Sequence, residues 1–283
     1  MDATLGGGGH ARLLAEAIRP GGRLLGIDRD PAAIERCAFL LQVPEIEVAL
    51  VQGDFGDLER LAGEAGFGAV DGVLFDLGVS SFQLDAAERG FSFRNPGPLD
   101  MRLDPRAPVT AEQLVNRMDR RSLGRLIREL GEERWAERIA EFIVRRRPLR
   151  TTSDLAAAVE AAIPRRAWPQ QIHPATRTFQ AVRMAVNDEL GALERGLKTA
   201  TSLLRPGGRM AAISFHSLED RLVKAHVAAE SKDCSCPPQQ PVCTCAHRAT
   251  LRPVTRRPIT PTPGEIRANP RVRSAKLRVA ERI

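Results

Sequence analysis

Asp2-Ala3-Thr4-Leu5-Gly6-Gly7-Gly8-Gly9-His10, followed after a helical stretch by Gly26-Ile27-Asp28, decides the fold. The order is strand, glycine turn, helix, second strand, acid. A doubly wound α/β fold holds the adenosine part of a nucleoside-type cofactor in this way. Glycines let the backbone turn sharply off the first strand and bring its N–H groups against a ligand with no Cβ between them. Leu13, Leu14, Ala17 and Ile18 fall on one stripe of the helix, and Pro20-Gly21-Gly22 stops it. Arg23-Leu24-Leu25-Gly26-Ile27 then reads as a short buried strand with Asp28 at its carboxyl end. That acid stands about twenty residues after the glycines, where a carboxylate accepts hydrogen bonds from both ribose hydroxyls. A glycine run alone is often only a flexible turn, and the acid in this place and order tips the reading to cofactor binding.

Working outward, the spacing predicts a helix from Pro31 to Leu41, a third strand at Ile46-Glu47-Val48-Ala49-Leu50-Val51, and a helix from Leu58 to Gly63. The third strand ends at Gln52-Gly53-Asp54-Phe55. A fourth, Val70 to Phe75, delivers Asp76-Leu77-Gly78-Val79-Ser80-Ser81 at its carboxyl end. Ligands of open parallel sheets bind beyond the carboxyl ends of the strands, so Asp28, Phe55 and Asp76 are expected to line one crevice. Pro96, Pro98, Pro105 and Pro108 then punctuate a loop, and helical spacing takes over at Leu123/Leu126/Ile127/Leu130, Trp135/Ile139/Phe142/Ile143 and Leu155/Val159/Ile163. The α/β pattern returns with a single long helix from Thr176 to Leu204, a strand from Arg209 to Phe215 ending at His216-Ser217, and a strictly alternating strand at Ala275–Val279. The expected organisation is an α/β core of residues 1–105 and 181–283, interrupted by a helical insertion at 106–180.

The chain has 283 residues, 43% hydrophobic and 27% charged, the balance of a soluble globular protein. No apolar run reaches membrane-span length and the start lacks a signal-peptide profile, which gives a cytoplasmic reading with no membrane partner. The net charge of +7 is unevenly spread: residues 246–283 carry +8 and 106–180 carry +6, leaving −7 for the rest. An acidic core with two basic attachments suggests that the attachments meet a polyanion. Cys37 stands alone, while Cys234, Cys236, Cys243 and Cys245 crowd together, unlike a secreted disulfide framework.

Long ordered motifs now carry a resemblance. They are the opening stretch, Asp76-Leu77-Gly78-Val79-Ser80-Ser81-Phe82-Gln83-Leu84-Asp85, Arg89-Gly90-Phe91-Ser92-Phe93, Gly97-Pro98-Leu99-Asp100-Met101-Arg102, His173-Pro174-Ala175-Thr176-Arg177-Thr178-Phe179-Gln180, Ile213-Ser214-Phe215-His216-Ser217-Leu218-Glu219-Asp220, and Ser274-Ala275-Lys276-Leu277-Arg278-Val279-Ala280-Glu281-Arg282. Over nearly its whole length the chain resembles the bacterial small-subunit ribosomal RNA cytosine-N4 methyltransferases of the RsmH/MraW family. The resemblance implies a class I, Rossmann-like methyltransferase fold that uses S-adenosylmethionine and methylates the exocyclic amine of a decoding-site cytosine. The partner is then small-subunit ribosomal RNA or the assembled small subunit. Carried over by position, the cofactor contacts are Gly8, Gly9 and His10 in the first loop, Asp28 at the ribose, Phe55 near the adenine, and Asp76 with Gln83 at the methionine side. The helical insertion helps recognise the RNA. Two departures stand out. Ala11 follows His10 where the family usually has a small hydroxyl residue, and the family normally has a further segment before the first strand, so that strand is expected to be short and poorly held.

Methyl transfer from a sulfonium is an in-line displacement, so the protein mainly positions the nucleophile and keeps the site dry, without a metal. Cytosine N4 is a poor nucleophile, and an acceptor bonded to the amine favours its reactive geometry as positive charge develops on nitrogen. Asp76 is the best catalytic candidate for that acceptor, with a purely cofactor- or backbone-binding role weighed equally beside it. His173 and His216 read as RNA-binding or structural, Phe91, Phe93 and Phe215 as stacking surfaces or core, Trp135 and Trp168 as base-stacking or core, and Arg102, Arg177 and Arg183 as phosphate contacts or ordinary ion pairs. The cysteine pairs can be drawn as four zinc ligands with His247 nearby. Their C-x-C spacing and the stiffening prolines favour reduced surface thiols, and no metal is assigned. Two other classes remain open at this stage, a nicotinamide-dependent dehydrogenase, which shares the early strand-turn-helix-strand-acid order, and a noncatalytic RNA-binding ribosome-assembly factor. The sequence leaves monomer and homodimer both open.

Overall fold

The apolar runs read as strands are strands in a computed structural model of the chain, which describes residues 1–234, 236, 240, 242 and 244–283. In chain order the elements are α1 (Gly9–Ala17), β1 (Arg23–Asp28), α2 (Pro31–Leu40), β2 (Glu47–Gln52), α3 (Leu58–Glu64), β3 (Val70–Asp76), α4 (Ser81–Asp85), α5 (Ala111–Arg117), α6 (Arg120–Gly131), α7 (Ala136–Arg145), α8 (Thr152–Ala162), α9 (Thr176–Val186), α10 (Glu189–Leu203), β4 (Leu204–Ser214), α11 (Ser217–Glu230), β5 (Leu251–Pro253), α12 (Pro263–Ala268) and β6 (Lys276–Arg282). Among the described residues no helix is long and apolar enough to cross a membrane.

Two compact units result, Met1–Gly78 with Leu190–Ile283, and Val79–Glu189. In the first, β1 pairs parallel with β2, β3 pairs parallel with β4, and β6 runs antiparallel between β4 and β5. Residues 1–5 fill the gap between β1 and β3. Asp2 N–H donates to Leu25 O, Leu5 N–H to Ile27 O and Ile27 N–H to Asp2 O, while Ala3 N–H donates to Leu74 O and Leu74 N–H to Met1 O, all at 2.8–3.0 Å. The first strand, expected to be poorly held, is therefore bonded along both edges, and Asp2 and Ala3 are each only 1% exposed. The spatial order is β2, β1, residues 1–5, β3, β4, β6, β5. It reverses direction at residues 1–5, and a doubly wound sheet opens its ligand crevice at that place.

Side-chain alternation covers both faces of this sheet. Ala3, Leu25, Ile27, Val73, Phe75 and Met210 pack with Leu58 and Leu61 of α3, Leu193 and Leu197 of α10 and Val223 of α11. Leu5 and Leu24 point the other way, against Ala11 and Ala15 of α1 and Cys37 of α2. Each fully buried leucine, isoleucine or phenylalanine of this kind contributes roughly 1.5–3 kcal/mol. Local signals agree with the packing: the Asp30 carboxylate accepts from Ala32 N–H and Pro31 occupies the first turn of α2.

The second unit is helical and wider than residues 106–180. Phe91, Leu99 and Met101 from the preceding loop share a core with Leu123 and Ile127 of α6, Ile139 and Ile143 of α7, Leu155 and Val159 of α8, and Phe179 and Val182 of α9. Proline-rich connections mark loops, but these loop residues bury themselves, and the boundaries fall at Gly78/Val79 and Glu189/Leu190 instead. The single helix expected from Thr176 to Leu204 is two, α9 and α10. Asn187 is nearly buried, and its amide donates to Met101 O and Arg183 O while its carbonyl accepts from Leu103 N–H. Asp188 follows in the left-handed region at φ 46°, which turns the chain. Apolar periodicity runs through this break, so pattern alone joins the two helices.

Burial raises the Asp2 carboxyl from its ordinary 3.8 to about 6, with the neighbouring Asp76 adding to the rise and Thr4 N–H, His10 and the Met1 ammonium opposing it. The folded state thus binds the proton more tightly than the unfolded chain. This contribution to stability is complete below pH ~4 and disappears as pH rises through about 6, a loss of up to about 3 kcal/mol. Asp2→Asn keeps an acceptor for Thr4 N–H and has no titration. Its melting temperature relative to wild type should climb between pH 4.5 and pH 7.5 in scanning calorimetry; a difference that stays constant across that range contradicts the assignment.

Candidate active site

The glycine loop leaves residues 1–5 at the carboxyl edge of the sheet. Leu5 N–H is still in the sheet, Gly6 has φ 51° and Gly8 has φ 77°, so the chain passes through left-handed backbone into α1. A Cβ on Gly8 would lie 2.8 Å from both Cys37 Sγ and Leu40 Cδ2 of α2, whereas a Cβ on Gly9 meets nothing within 4 Å. Gly8 is therefore required by the protein's own packing, and Gly9 leaves open space at the first turn of a helix, where N–H groups have no intrahelical acceptor.

Asp28 closes this loop from β1. Its Oδ2 accepts from Gly6 N–H at 2.7 Å and its Oδ1 from Asp30 N–H at 2.9 Å. Burial pushes its carboxyl up, and these two backbone donors act against the rise. Each carboxylate oxygen keeps a further lone pair for an outside donor.

Asp76, at the end of β3, faces His10 across the loop, with Oδ2 3.4 Å from Nδ1. Its backbone N–H donates to Thr4 Oγ1 at 2.6 Å, and its Oδ1 is buried with no hydrogen-bond partner. Bonding to Asp76 raises the His10 imidazole pKa, partly countered by burial, and Asp2 adds a smaller upward pull. Thus Asp2, His10, Asp28 and Asp76 converge on one rim. Phe55 follows β2, edge-on to Phe75 with centroids 5.6 Å apart. It lies against the Arg29 guanidinium at 5.7 Å, and Arg29 is itself paired with Asp54.

Of the residues named from sequence, Gly8, Gly9, His10, Asp28, Phe55 and Asp76 all belong to the first unit at the carboxyl ends of its strands. Gln83 belongs to the second unit, where its side chain is buried and its Oε1 accepts from Ser80 N–H in a capping box on α4. Thr4, Asp2, Arg29 and Asp54 had been given no role. Thr4 and Asp2 lie inside the opening motif, and Asp54 follows the end of β2 beside Phe55, close to the signal that marked Asp28 and Asp76.

Several alternatives resolve toward structure. His216 caps α11 by accepting from Glu219 N–H. His173 stacks on Phe93 at 4.4 Å, bonds Glu160 through Nε2 at 2.9 Å and accepts Ala175 N–H at Nδ1. Arg102 pairs with Asp100, and Arg183 with Glu189. By contrast, the helical unit carries an open cleft of about 380 Å³ between Trp135 and Trp168, rimmed by Arg134, Arg166 and Arg177. Its volume is in the roughly 300–1,000 Å³ range of small-ligand sites. Trp168 donates its ring N–H to Ile163 O, and Arg165 lies 4.2 Å over its ring, while the Trp135 ring N–H is buried with no partner.

A sequence model of the MraW methylase family matches residues 1–283. A protein of Geobacter sulfurreducens named ribosomal RNA small subunit methyltransferase H is 53% identical, over 100% of this chain and 92% of its own length. Proteins of the same name from Symbiobacterium thermophilum and Heliobacterium modesticaldum are 51% and 48% identical over 100% of this chain, and over 90% and 92% of theirs.

The two glycines make opposite predictions. Gly8→Ala forces left-handed backbone on an alanine and an overlap with Cys37 and Leu40, about 1–3 kcal/mol in all, and should lower the melting temperature by several degrees. Gly9→Ala, on a helical position with open space, should leave it unchanged or slightly raised. Equal melting temperatures for the two variants would contradict this reading of the loop.

Proposed function

The chain belongs to the MraW methylase family, and we propose that it transfers the methyl group of S-adenosylmethionine to the exocyclic N4 amine of a cytosine in the decoding region of small-subunit ribosomal RNA. Its relatives' shared name and full-length identity support this reading; nothing supports a nicotinamide dehydrogenase or a noncatalytic assembly factor. The observation that carries it is Asp76, one oxygen beside His10 and the other buried and unpartnered. Together with Asp2 and Asp28 it sets three carboxylates against one imidazole, a rim suited to a cationic ligand. S-adenosylmethionine carries both an ammonium and a sulfonium, and when bound it supplies an electrophilic methyl group.

The chain's own residues then divide the work. The backbone of Gly8 and Gly9 admits the ligand closely, Asp28 offers its remaining lone pairs to ribose hydroxyls, and Phe55, braced by Phe75 and Arg29, walls the adenine side. Asp76 Oδ1 accepts a nitrogen-borne proton, a feature shared by the cofactor's ammonium and the cytosine amine. Accepting from the amine restores lone-pair density on N4 and stabilises the positive charge that develops there. Thr4 fixes Asp76 through its backbone, and His10 holds Oδ2. The resemblance also assigns Gln83, on α4, to the methionine side of the cofactor. In the helical unit, the cleft between Trp135 and Trp168 offers flat apolar faces and guanidinium groups, the chemistry of unstacked bases and phosphates.

Titration calorimetry with S-adenosylmethionine should show micromolar-range binding by wild type, and at least a tenfold loss in Asp28→Ala, Asp76→Ala and Gly9→Ala. Affinity should also fall from pH 7.5 to pH 5.5, because Asp2, its carboxyl raised to about 6, becomes neutral over that interval. Unchanged affinity in Asp28→Ala and Asp76→Ala would remove the site assignment, and mass spectrometry of small-subunit RNA from cells with and without the gene reads the methylated base directly. Arg134→Gln/Arg166→Gln should weaken RNA binding and flatten its dependence on salt by about one unit of slope per lost phosphate contact. A slope equal to that of wild type excludes the cleft.

A further inference from the structure

Between α11 and β5 the chain makes a long excursion whose base is closed. Thr250 N–H donates to Glu230 O at 2.8 Å, Ala249 N–H to Asp233 Oδ1 at 3.1 Å, and His247 Nε2 lies 3.3 Å from Ala229 O. Inside this base the described residues from Ser231 to Thr250 include none that is buried. Val242, the one large apolar side chain described there, is 69% exposed. Ordering each residue costs about 1–2 kcal/mol of backbone entropy, and among the described residues here no apolar core offsets it. Small segments in that position are held by a disulfide or a metal.

The sulfurs of Cys234, Cys236 and Cys245 lie within 4.8 Å of one another. Cys234 Sγ and Cys245 Sγ are 3.8 Å apart. A tetrahedral zinc site with Zn–S bonds of about 2.3 Å has sulfurs about 3.8 Å apart, whereas a disulfide brings them to about 2.05 Å. A backbone donor already serves one of the sulfurs: Cys236 N–H points at Cys234 Sγ at 3.4 Å. Cys243, the remaining thiol of the two C-x-C pairs, lies outside the described residues. His247 is turned to Ala229 O and is not part of the cluster.

We propose that Cys234, Cys236 and Cys245 ligate a structural zinc ion that holds the excursion between α11 and β5 in its fold. The reaction is an acid–base exchange without redox change: each thiol gives its proton to solvent and its sulfur lone pair to Zn²⁺. The ion is remote from methyl transfer in its chemistry, and the proposal stands whether or not the cofactor assignment does. Zinc at three thiolates holds together a segment whose described residues bury no side chain and whose following strand, β5, is only three residues long.

The test uses the full-length protein, reduced with a phosphine, loaded with ZnCl₂ and desalted. Elemental analysis should find about one zinc per chain. Cobalt substitution should give thiolate-to-metal charge-transfer absorption with the intense visible bands of tetrahedral Co²⁺. Cys234→Ser/Cys236→Ser/Cys245→Ser should lose the metal and the bands, with methyl-donor binding retained. Should that variant fail to fold, alkylation of wild type serves in its place: the three thiols should be protected with zinc and modified after chelation, as read by peptide mass spectrometry. Less than a tenth of an equivalent of zinc, iron or copper in its place, a Cys234–Cys245 disulfide in the protein before reduction, or alkylation indifferent to the chelator would each overturn the proposal.

Discussion

Backbone hydrogen bonding along both edges of residues 1–5 is the constraint on which the first unit rests. Without it β1 with β2, and β3 with β4, β6 and β5, are two separate ribbons. With it they are one twisted sheet whose order reverses at its centre, and the reversal creates a crevice at the strands' carboxyl ends. The same pairing buries Asp2, at the cost of desolvating a carboxylate, and aims Thr4 Oγ1 at the backbone of Asp76. Fold and site are thus coupled through a handful of atoms: the groups that join the half-sheets also set the position and charge of the rim.

That rim is acidic in a chain whose net charge is positive, and the contrast is chemical. Carboxylates beside a single imidazole favour a cation, while guanidinium groups around two indoles favour a polyanion with flat bases. The two chemistries are kept in separate units of the molecule. Intramolecular pairing also lowers the charge offered to a partner. Lys276 and Arg278 of the basic C-terminal segment bond to Asp220, and Arg209 and Arg252 bond to Glu281, so a count of basic residues overstates the surface available to phosphates.

The doubly wound core was legible because its signals are local. Glycines, an acid at a strand end and alternating apolar residues each carry their own physical reason, and Gly8, Asp28 and Asp76 stand where those reasons put them. What escaped depends on distant partners. Asn187 breaks a helix that periodicity runs straight through, because its amide bonds the backbone of Met101 and Leu103. Phe91 and Met101 lie in a loop by composition but in the helical core by contact. Trp135 packs against that core, yet its ring also walls a cleft, and one side chain can do both. The close approach of three cysteine sulfurs likewise follows from how the chain folds back, which C-x-C spacing alone does not encode.

The order of the sheet has a consequence for the protein's birth on the ribosome. The helical unit is one unbroken stretch, Val79–Glu189, and its core is drawn from within that stretch, so it can fold as it emerges. The sheet cannot: β6, inserted between β4 and β5, comes from Lys276–Arg282. Until Lys276–Arg282 has emerged, β4 presents an unpaired edge and β5 has no strand to join. The newborn chain therefore passes through a stage with a finished helical unit and an open sheet, the interval in which a chaperone has most to protect.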